Sequence, residues 1–275
     1  MPANAAHPAP DKVVILARGL GTRMRREDPS AALTLQQQAA AVEGSKAMMP
    51  LDRPFLDYLL HLLAEAGLRR ACLVVAPDHR EIRGHVDRLA PRRISVDYAV
   101  QDQPRGTADA VLAAEGFASG DEFICINSDN YYPLCALRRL RELDGPGLAA
   151  FDRAALLRGN IPAQRISRFA VLELDRDGAL RRIIEKPTGR QIRRLGEPVR
   201  VSMNCWRFGP TIFDACRRVR PSARGELELP DAVQAAIRAG EVFRAVVVDQ
   251  PVLDLSSRAD VAAVMRQLAG TRVDL

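Results

Sequence analysis

Residues 12–23, with the sequence KVVILARGLGTR, place a glycine-containing loop directly after an apolar run. The apolar part, Lys12 to Ala17, has the length and composition of a buried strand. The loop after it carries Gly19 and Gly21, followed by Arg23. Backbone N–H groups in such a loop can approach phosphate oxygens, and the arginine adds positive charge. The stretch predicts a strand followed by a phosphate-binding loop; a tight turn between a strand and a helix is the alternative.

The rest of the first half alternates apolar runs with amphipathic runs. The predicted strands are 12–17, 71–76, 94–100 and 122–127, and the predicted helices between them are 56–66, 78–89 and 107–118. Strands that alternate with helices predict a mostly parallel sheet with helices on both faces. Such sheets bind ligands at the carboxyl ends of their strands, where the glycine loop and Asp129 both lie.

The second half of the chain is less regular. It predicts strands at 148–151, 169–174, 180–184, 199–208 and 243–248 and helices at 210–219, 229–239 and 257–268. We expect a mixed sheet here, within a single domain at 12–270 whose two halves are 12–147 and 148–270. Residues 1–11 begin with an Ala- and Pro-rich stretch and predict a disordered tail. No repeat of about 20–50 residues is present, so we expect no C-terminal β-helix.

The composition argues against several classes of function. Apolar residues make up 47% of the 275 residues, and no run reaches the roughly 18 apolar residues of a membrane span. The net charge of +6 comes from basic residues spread along the chain, and aromatic residues make up only 5%. Nucleic-acid binding favours a basic stripe or run, so we expect neither a nucleic-acid nor a membrane partner.

The chain start and the cysteines bear on location. Residues 1–10 lack the basic and apolar regions of a secretion signal, so we expect a cytoplasmic protein. The five cysteines are scattered, odd in number and without a CxxC motif. They predict buried free thiols rather than disulfides or a metal site.

Lysine is scarce in this sequence. Of the 40 basic residues, three are lysines, Lys12, Lys46 and Lys186, and the other 37 are arginines. An ammonium group is a compact point charge that can fit against a phosphate where a planar guanidinium does not. A position that retains lysine is therefore informative as a candidate phosphate contact.

Short segments along the chain resemble, in the same order, the signature segments of sugar-1-phosphate nucleotidyltransferases, or NDP-sugar pyrophosphorylases. They are LARGLGTR at 16–23, SKAMMPL at 45–51, QDQPRGTADA at 101–110, NSDN at 127–130, EKP at 185–187, VSMN at 201–204, GELELPD at 225–231 and VLDLSSRADV at 252–261. The resemblance implies a Rossmann-like α/β fold of the GT-A type, with a mostly parallel central sheet and a small mixed-sheet subdomain on the sugar side. It makes 12–147 the nucleotide-binding half and 148–270 the sugar-binding half.

The same resemblance implies which residues contact the nucleotide. Arg23 and Lys46 would contact the phosphates and assist the departure of pyrophosphate. The other nucleotide-binding positions lie in the glycine loop and in the segment that would recognise the base: Ala17, Gly19, Gly21, Thr22, Gln101, Gly106 and Thr107. Gln101 would hydrogen-bond the base edge, whereas Thr107 would contact the nucleotide or cap its own helix.

The resemblance further implies a metal site and an acceptor site. Asp129 would act in catalysis with Arg23 and Lys46, and it would share a Mg²⁺ ion with Asp254, because carboxylate oxygens suit that ion. Glu185 and Asn204 are the expected sugar contacts, and Lys186 is the expected contact of the sugar phosphate.

Several positions depart from the family pattern. Arg18 stands where the family has the first of two adjacent glycines, and Ser128 stands in a glycine position. Ser256 and Ser257 stand where a Gly-Thr pair is usual. Residues 25–43 form a longer, Ala- and Gln-rich connection, which predicts a mobile lid.

The function that the resemblance implies is transfer of a nucleotidyl group from an NTP to a sugar 1-phosphate. The products would be an NDP-sugar and pyrophosphate, with no protein nucleophile. The Gly-Thr-Ala and Ser-Met-Asn segments favour a purine nucleotide, and a homo-oligomer is a further expectation. Two alternatives stay open: a nucleotide or sugar-phosphate sensor that does not catalyse, and an enzyme with another acceptor, such as a cyclitol phosphate or a cofactor precursor.

Overall fold

The structure, a computed structural model, describes residues 9–275. Its strands are β1 Lys12–Leu16, β2 Arg70–Val75, β3 Ser95–Val100, β4 Phe123–Asn127, β5 Asn130–Tyr131, β6 Gly147–Asp152, β7 Val171–Leu174, β8 Leu180–Ile184, β9 Arg200–Phe208, β10 Arg244–Val248 and β11 Leu253–Asp254. Its helices are α1 Thr22–Arg25, α2 Leu35–Glu43, α3 Phe55–Glu65, α4 Arg80–Leu89, α5 Thr107–Ala113, α6 Glu115–Ala118, α7 Leu134–Arg141, α8 Arg153–Leu156, α9 Ala163–Ile166, α10 Gly189–Leu195, α11 Thr211–Arg218, α12 Leu229–Arg238 and α13 Val261–Leu268.

One sheet crosses the molecule with the strand order β10-β6-β9-β4-β1-β2-β3. Strands β3, β2, β1 and β4 run parallel, as the sequence predicted. Strand β9 is antiparallel to both β4 and β6, and the β7–β8 hairpin pairs with β9. The strands of the second half therefore continue the same sheet. Because β1 lies at its centre, the loop after β1 emerges in the middle of the carboxyl edge.

The predicted strands are confirmed to within two residues at each end, but two predicted helices differ. The helix expected at 107–118 divides into α5 and α6 at Ala114, whose φ of −91° and ψ of 7° interrupt it. The helix expected at 257–268 begins with a 3-10 turn at Arg258–Asp260 before α13. In that turn Ser257 and Asp260 form a capping box.

The connection at 25–43 contains a helix that the sequence analysis missed. Thr34 and Gln37 form a capping box at the start of α2, and Gly44 ends the helix with a φ of 73°. Leu35 and Val42 are 84% and 64% exposed, while Gln37 is buried. The helix thus presents apolar residues to solvent, so hydrophobic periodicity could not reveal it. The expected lid is here a capped helix.

The predicted tail at 1–11 lies mostly outside the described residues. Of its last three residues, Pro10 accepts a hydrogen bond at its carbonyl from Arg141 Nε at 2.8 Å. The carbonyl of Asp11 accepts from the backbone N–H of Arg69 at 2.8 Å. The chain therefore joins the fold immediately before β1.

Three apolar clusters hold the elements together. Two of them cover the two faces of the sheet, and Val13 belongs to one while Val14 belongs to the other. The third cluster lies beyond the sheet and joins α1, α2, α3 and α13; it contains Met24, Met49 and Leu255. Through this cluster, the segment that follows Asp254 packs against Met24, next to the glycine loop.

The cysteines match the prediction of free thiols. All five are free, and Cys135 alone is half-buried while the others are buried. Burial raises the pKa of the Cys72 thiol to about 12, which makes it unreactive. Among residues 9–275, no helix has both the length and the apolar character needed to cross a bilayer.

Candidate active site

A two-stranded sheet, formed by β5 and β11, brings together two carboxylates that are far apart in sequence. In it Asp254 lies opposite Asn130, and Leu253 lies opposite Tyr131. The backbone N–H of Leu255 donates to the carbonyl of Asp129 at 2.8 Å. Asp129 follows β4 at the carboxyl edge, so this pairing fixes Asp254 beside the end of a central strand. The structure thus joins the two residues that the sequence analysis predicted as metal ligands.

Lys46 forms an ion pair with Asp129. The Nζ atom lies 2.7 Å from Asp129 Oδ2, and both side chains are less than one fifth exposed. Gln37 of α2 supports this segment, since its Nε2 donates to the Pro50 carbonyl at 2.9 Å. An ammonium group has three donors, so Lys46 can hold Asp129 and still donate to a ligand.

The glycine loop approaches Gly44, just before Lys46, along the backbone. Gly21 has a φ of 61°, and a Cβ atom there would lie 2.2 Å from the carbonyl oxygen of Gly44. Gly44 has a φ of 73°, and a Cβ on it would lie 2.6 Å from Arg25 Nε. Only glycine fits both positions, and this close packing places Lys46 near the loop. The sequence analysis predicted Gly21 but missed Gly44, whose signal was a glycine at a helix end.

The other loop residues point to different uses. Ala17 is buried and its N–H donates to the Val74 carbonyl at 3.0 Å, so it continues the strand pairing. A Cβ added at Gly19 would meet no protein atom within 4 Å. Thr22 and Arg23 are exposed at the start of α1. Among the described residues, Arg23 makes no ion pair, so its charge is available to a ligand.

Asp254 is buried and accepts hydrogen bonds at both carboxylate oxygens. Oδ1 accepts from Ser256 Oγ at 2.7 Å and from Asn130 Nδ2 at 3.2 Å. Oδ2 accepts from Arg165 Nη1 at 2.9 Å. Burial and the negative charge of Asp129 raise the pKa of Asp254 to about 6, against the hydrogen bond from Ser256 and the charge of Arg165. The two carboxylates are therefore near enough to repel each other.

The sequence analysis missed Arg165, a half-buried residue of α9. Its Nη1 and Nη2 atoms lie 2.8 and 2.5 Å from the two carboxylate oxygens of Asp260. Although burial opposes it, this pairing holds the pKa of Asp260 below its usual value. Nothing in the sequence distinguishes Arg165 from the other 36 arginines. Only the folded chain shows that one guanidinium compensates both Asp254 and Asp260.

Asn160 was missed as well, and it fixes the backbone at Asp254. Its Nδ2 donates to the Asp254 carbonyl at 2.8 Å, and its Oδ1 accepts from the Asp254 N–H at 2.9 Å. An asparagine in a polar loop gives no signal for this role. The segment from Asn160 to Arg165 therefore holds both the backbone and the side chain of Asp254.

The predicted base-binding glutamine is held inside the protein. Gln101 is buried, and its Nε2 donates to the Gly106 carbonyl at 3.0 Å and to Asp109 Oδ2 at 2.8 Å. Both amide hydrogens are thus in use. The remaining polar atom of the side chain, Oε1, is the one that could accept from a base.

Gly106 and Thr107 dock the segment before α12. A Cβ at Gly106, whose φ is 125°, would lie 2.4 Å from the carbonyl oxygen of Leu227. The Thr107 hydroxyl accepts from the N–H of Leu229 at 2.8 Å. Within its own helix Thr107 makes no capping bond. Of the two roles predicted for Thr107, capping of its own helix is not observed, because the hydroxyl accepts at the start of α12; contact with the nucleotide stays a prediction.

Arg18, the departure from the glycine pattern, bridges two parts of the carboxyl edge. Its Nε donates to the Gln101 carbonyl at 3.2 Å, and its Nη2 donates to the Asp102 carbonyl at 3.3 Å. The side chain therefore ties the glycine loop to the end of β3. This direction explains how a long side chain is accommodated beside Gly19.

The predicted acceptor residues have unusual backbone conformations. Lys186 has a φ of 43° and Asn204 has a φ of 52°, in the left-handed region that a non-glycine residue enters only at a cost. Asn204 lies in a bulge of β9, where the register with β6 shifts. Glu185 and Lys186 are exposed directly after β8. Partial desolvation by neighbouring protein atoms and the negative charge of Glu228 raise the pKa of Glu185.

Tyr132 connects the Asn204 bulge to the Asp129 segment. This buried residue donates from its hydroxyl to the Met203 carbonyl at 2.8 Å. The same oxygen lies 3.4 Å from the backbone N of Asn127 and 3.4 Å from Asn130 Oδ1. The bulge and the NSDN segment thus share one buried side chain. The sequence analysis did not single out Tyr132, although it follows that segment closely.

The remaining scarce lysine has a structural role. Lys12 is buried, and its Nζ donates to the carbonyls of Phe117 and Ala118 at 3.1 and 2.8 Å. It also lies 2.7 Å from Asp121 Oδ2. The ammonium group thus closes the carboxyl end of α6. Scarcity alone therefore does not mark a phosphate contact: the structure separates Lys12, which stabilises a helix end, from Lys46 beside Asp129.

The donor set of the site suits a divalent cation of the magnesium type. Such a cation takes one or two protein carboxylates and completes its shell with waters and phosphate oxygens. The bond to Lys46 uses Oδ2 of Asp129, which leaves Oδ1 for a cation. Asp254 lies beside this carboxylate. Among residues 9–275, no group of three or more His, Cys, Asp and Glu could hold a metal ion. A cation here would therefore depend on ligand oxygens as well as on this pair.

Comparison with known proteins agrees with the fold and identifies the family. The sequence model of the family described as nucleotidyl transferase matches residues 12–255. A glucose-1-phosphate thymidylyltransferase of Streptomyces antibioticus is 30% identical over 255 residues, which is 93% of this chain and 65% of that protein. The UTP–glucose-1-phosphate uridylyltransferase AglF of Haloferax volcanii is 29% identical, over 90% of this chain and 93% of that protein.

A solved structure shows the same fold. The crystal structure of a UDP-glucose pyrophosphorylase complexed with UDP-glucose superposes with a TM-score of 0.69, at 17% identity, over 96% of this chain and 100% of that one. The present chain spans 65% and 66% of the lengths of two Streptomyces thymidylyltransferases that it resembles. Residues 12–255, which the family model matches, contain every strand of the central sheet and both carboxylates.

Proposed function

Since this chain belongs to the nucleotidyl transferase family, we propose that it transfers a nucleotidyl group from an NTP to a sugar 1-phosphate. The observation that carries the proposal is the pairing of β5 with β11. This pairing sets Asp254 beside the Lys46–Asp129 ion pair at the carboxyl edge, near the glycine loop. The products are an NDP-sugar and pyrophosphate.

In the proposed reaction, an oxygen of the sugar 1-phosphate attacks the α-phosphorus and the bond to the β-phosphate breaks. The attacking oxygen is already ionised at neutral pH, so no protein base or nucleophile is required. Catalysis then rests on positioning and on compensation of negative charge. The edge of the sheet can supply the positioning, and the positively charged side chains of Arg23 and Lys46 can supply the charge compensation.

The phosphates of the NTP are assigned to the glycine loop and its two cations. Gly19 leaves room for a phosphate beside the backbone, since a Cβ there would meet no protein atom within 4 Å. Arg23 is exposed and without an ion pair among the described residues, and Lys46 can turn one of its three donors to the leaving pyrophosphate. Asp129 and Asp254 would hold Mg²⁺, which would supply positive charge at the phosphates.

The acceptor is assigned to the segments after β8 and within β9. Lys186 would contact the phosphate of the sugar 1-phosphate, while Glu185 and Asn204 would contact the sugar. The left-handed φ angles of Lys186 and Asn204 support these roles, because strained backbone clusters at functional sites. A cyclitol 1-phosphate remains an alternative acceptor with the same phosphate chemistry.

The base is a separate part of the proposal. The Gly-Thr-Ala segment predicts a purine nucleotide, and a pyrimidine is the second candidate because the named relatives are thymidylyl- and uridylyltransferases. Gln101 offers its Oε1 atom to either type of base. A cytoplasmic location and a homo-oligomer are further predictions from the sequence, which cell fractionation and light scattering would test.

A second candidate function is a sensor that binds nucleotide or sugar phosphate without turnover. It is favoured by the ion pairs that already neutralise both carboxylates, from Lys46 to Asp129 and from Arg165 to Asp254. The proposed enzyme must share or release these contacts when substrate binds. A sensor, which only binds its ligand, can keep both ion pairs intact.

Pyrophosphate release, measured with Mg²⁺ over five NTPs and a panel of sugar and cyclitol 1-phosphates, tests the proposal. We expect one group of substrate pairs to turn over. Asp129→Asn should lower kcat at least about 100-fold, and Asp249→Asn, an exposed aspartate paired with Arg158, should leave kcat unchanged. If every pair stayed inactive while NTP still bound, the sensor would replace the enzyme.

A further inference from the structure

A cavity of about 460 Å³ lies between the β7–β8 hairpin and α10. It shares no lining residue with the carboxylate pair or with the glycine loop. Three arginines line it, Arg181, Arg182 and Arg194, together with Gln191 and the aliphatic residues Ile184 and Leu195. Its volume falls in the range of about 300–1,000 Å³ that small-molecule sites occupy.

The fold sets these side chains on facing walls. In the hairpin, Val171 lies opposite Ile184 and Glu173 lies opposite Arg182, so Ile184 and Arg182 share one face of β8. Helix α10 packs over that face through Leu195, which contacts the main core cluster. Helix α10 therefore lies over the hairpin. Ile184 and Leu195 lie between the two arginines of the hairpin and Arg194 of the helix.

The charges of the lining are not balanced. Arg182 pairs with Glu173 at 3.1 Å, and Arg181 pairs with Asp175, which lies outside the lining, at 2.9 Å. Arg194 makes no ion pair within residues 9–275. Three guanidinium groups and one carboxylate, that of Glu173, therefore face the cavity. Because Asp175 and Glu173 each compensate one of these arginines, one positive charge of the group, that of Arg194, is left uncompensated.

A neutral donor adds to this set. The Gln191 Oε1 atom accepts from the backbone N of Thr188 at 2.8 Å in the capping box of α10. Capping therefore uses the oxygen of this amide and leaves its Nε2 group as a donor. A cavity whose guanidinium and amide donors outnumber its carboxylate acceptors suits an anion with several oxygens.

We propose that this cavity is a second binding site, for a phosphate ester. Guanidinium groups bind phosphate oxygens in bidentate fashion. Ile184 and Leu195 provide an apolar surface beside them that fits the less polar face of a sugar or a nucleoside. The ligand is therefore a small organic phosphate rather than a free inorganic ion.

The position of the cavity gives the site a consequence for the acceptor segment. Ile184 is the last residue of β8, and the next two residues are Glu185 and Lys186. A ligand against β8 would restrain this segment, where Lys186 has its left-handed φ. We expect an occupied cavity to change the KM for sugar 1-phosphate. This consequence rests on the proposed function, whereas the binding itself does not.

Calorimetric titration of the full chain with glucose 6-phosphate and with inorganic phosphate tests the site. The phosphate of glucose 6-phosphate is on C6, so the compound is not an acceptor of the proposed reaction. We expect Arg181→Gln with Arg194→Gln to weaken its binding at least about tenfold. The matched control, Arg176→Gln with Arg190→Gln, removes two exposed charges outside the lining and should change the Kd less than about twofold.

Three outcomes would overturn the proposal. The first is an equal loss in both double variants, which would mean that long-range charge alone attracts the ligand. The second is loss of binding in Lys46→Met with Lys186→Met but not in the Arg181 and Arg194 variant, which would place the ligand at the carboxylate site. The third is the absence of saturable binding in the wild-type chain. Since titration needs no turnover, failure of the proposed activity would not affect this result.

Discussion

Individual residues at the site compensate charges that the fold has buried. Arg165 is the central case, because its one guanidinium contacts both Asp254 and Asp260. All three side chains are less than one fifth exposed. Isolated buried charges are costly, so the carboxylates depend on this arginine for their ionised state. The residue that sequence reasoning could not identify is therefore one on which a predicted metal ligand, Asp254, relies.

We predict that Arg165→Ala lowers the free energy of unfolding by about 3–5 kcal/mol, because it leaves two buried carboxylates without their counter-charge. Urea unfolding followed by circular dichroism measures this. Arg158→Ala is the control, since its ion pair with Asp249 is exposed and should contribute no more than about 1 kcal/mol. Equal losses of unfolding free energy in the two variants would show that Arg165 contributes no more to stability than an exposed ion pair does.

The two loop glycines separate stability from ligand binding. Gly21→Ala would bring a Cβ within 2.2 Å of the Gly44 carbonyl at a φ of 61°, so we predict a loss of roughly 2 kcal/mol or more in unfolding free energy. Gly19→Ala has no such clash and should change stability by less than about 0.5 kcal/mol, while it raises the KM for NTP. Thermal unfolding and pyrophosphate release measure the two effects. A destabilised Gly19→Ala would contradict this assignment.

At the scale of elements, helices and short strands are held to one another by specific backbone contacts at the carboxyl edge. The Thr107 hydroxyl at the start of α5 accepts from Leu229 at the start of α12. The β5–β11 pair does the same for the two carboxylate segments. Neither contact lies within a single element, so each sets how two elements meet.

Thr107→Val should cost about 1 kcal/mol, because the N–H of Leu229 loses its acceptor while the shape of the side chain is kept. For a chain of this size that corresponds to a fall in Tm of about 2–4 °C. Thr107→Ser retains the hydroxyl and should recover most of the loss. A valine variant as stable as the wild type would mean that water replaces the bond.

For the whole molecule, the third apolar cluster packs together segments from both ends of the chain that form the site. Met24 beside the glycine loop, Met49 after Lys46, and Leu255 after Asp254 are all fully buried in it. These residues are up to 231 positions apart in sequence, between Met24 and Leu255. The cluster thus couples the stability of the fold to the geometry of the site.

Leu255→Ala should lower both the free energy of unfolding, by about 2–5 kcal/mol, and kcat per folded molecule, because it loosens the support of Asp254. Leu140→Ala is the control: Leu140 is equally buried, on α7, in another cluster. It should cost similar stability and leave kcat unchanged. A matching loss of kcat in both variants would show that general destabilisation, and not the third cluster, limits turnover.

Much of the architecture follows from local pattern. An apolar run such as Lys12 to Ala17 predicts a buried strand inside a sheet, and the glycines that follow it mark a loop at the edge of that sheet. The helix α2 was missed because its buried face is formed by Gln37, Ala40 and Ala41. Its burial is a result of tertiary packing, which local hydrophobicity does not encode.

The sequence by itself determined the α/β class, the central strands and the glycine loop, which follow from short-range patterns. Lysine is scarce in this arginine-rich chain, which marked Lys46, whereas Asp129 and Asp254 became candidate metal ligands through the resemblance to sugar-1-phosphate nucleotidyltransferases. Only the tertiary structure decided that Asp254 pairs beside Asp129, that Thr107 serves another helix, and which arginine neutralises the buried carboxylates. Those facts depend on contacts between residues tens to hundreds of positions apart, and the energies of such contacts exist only once the chain is folded.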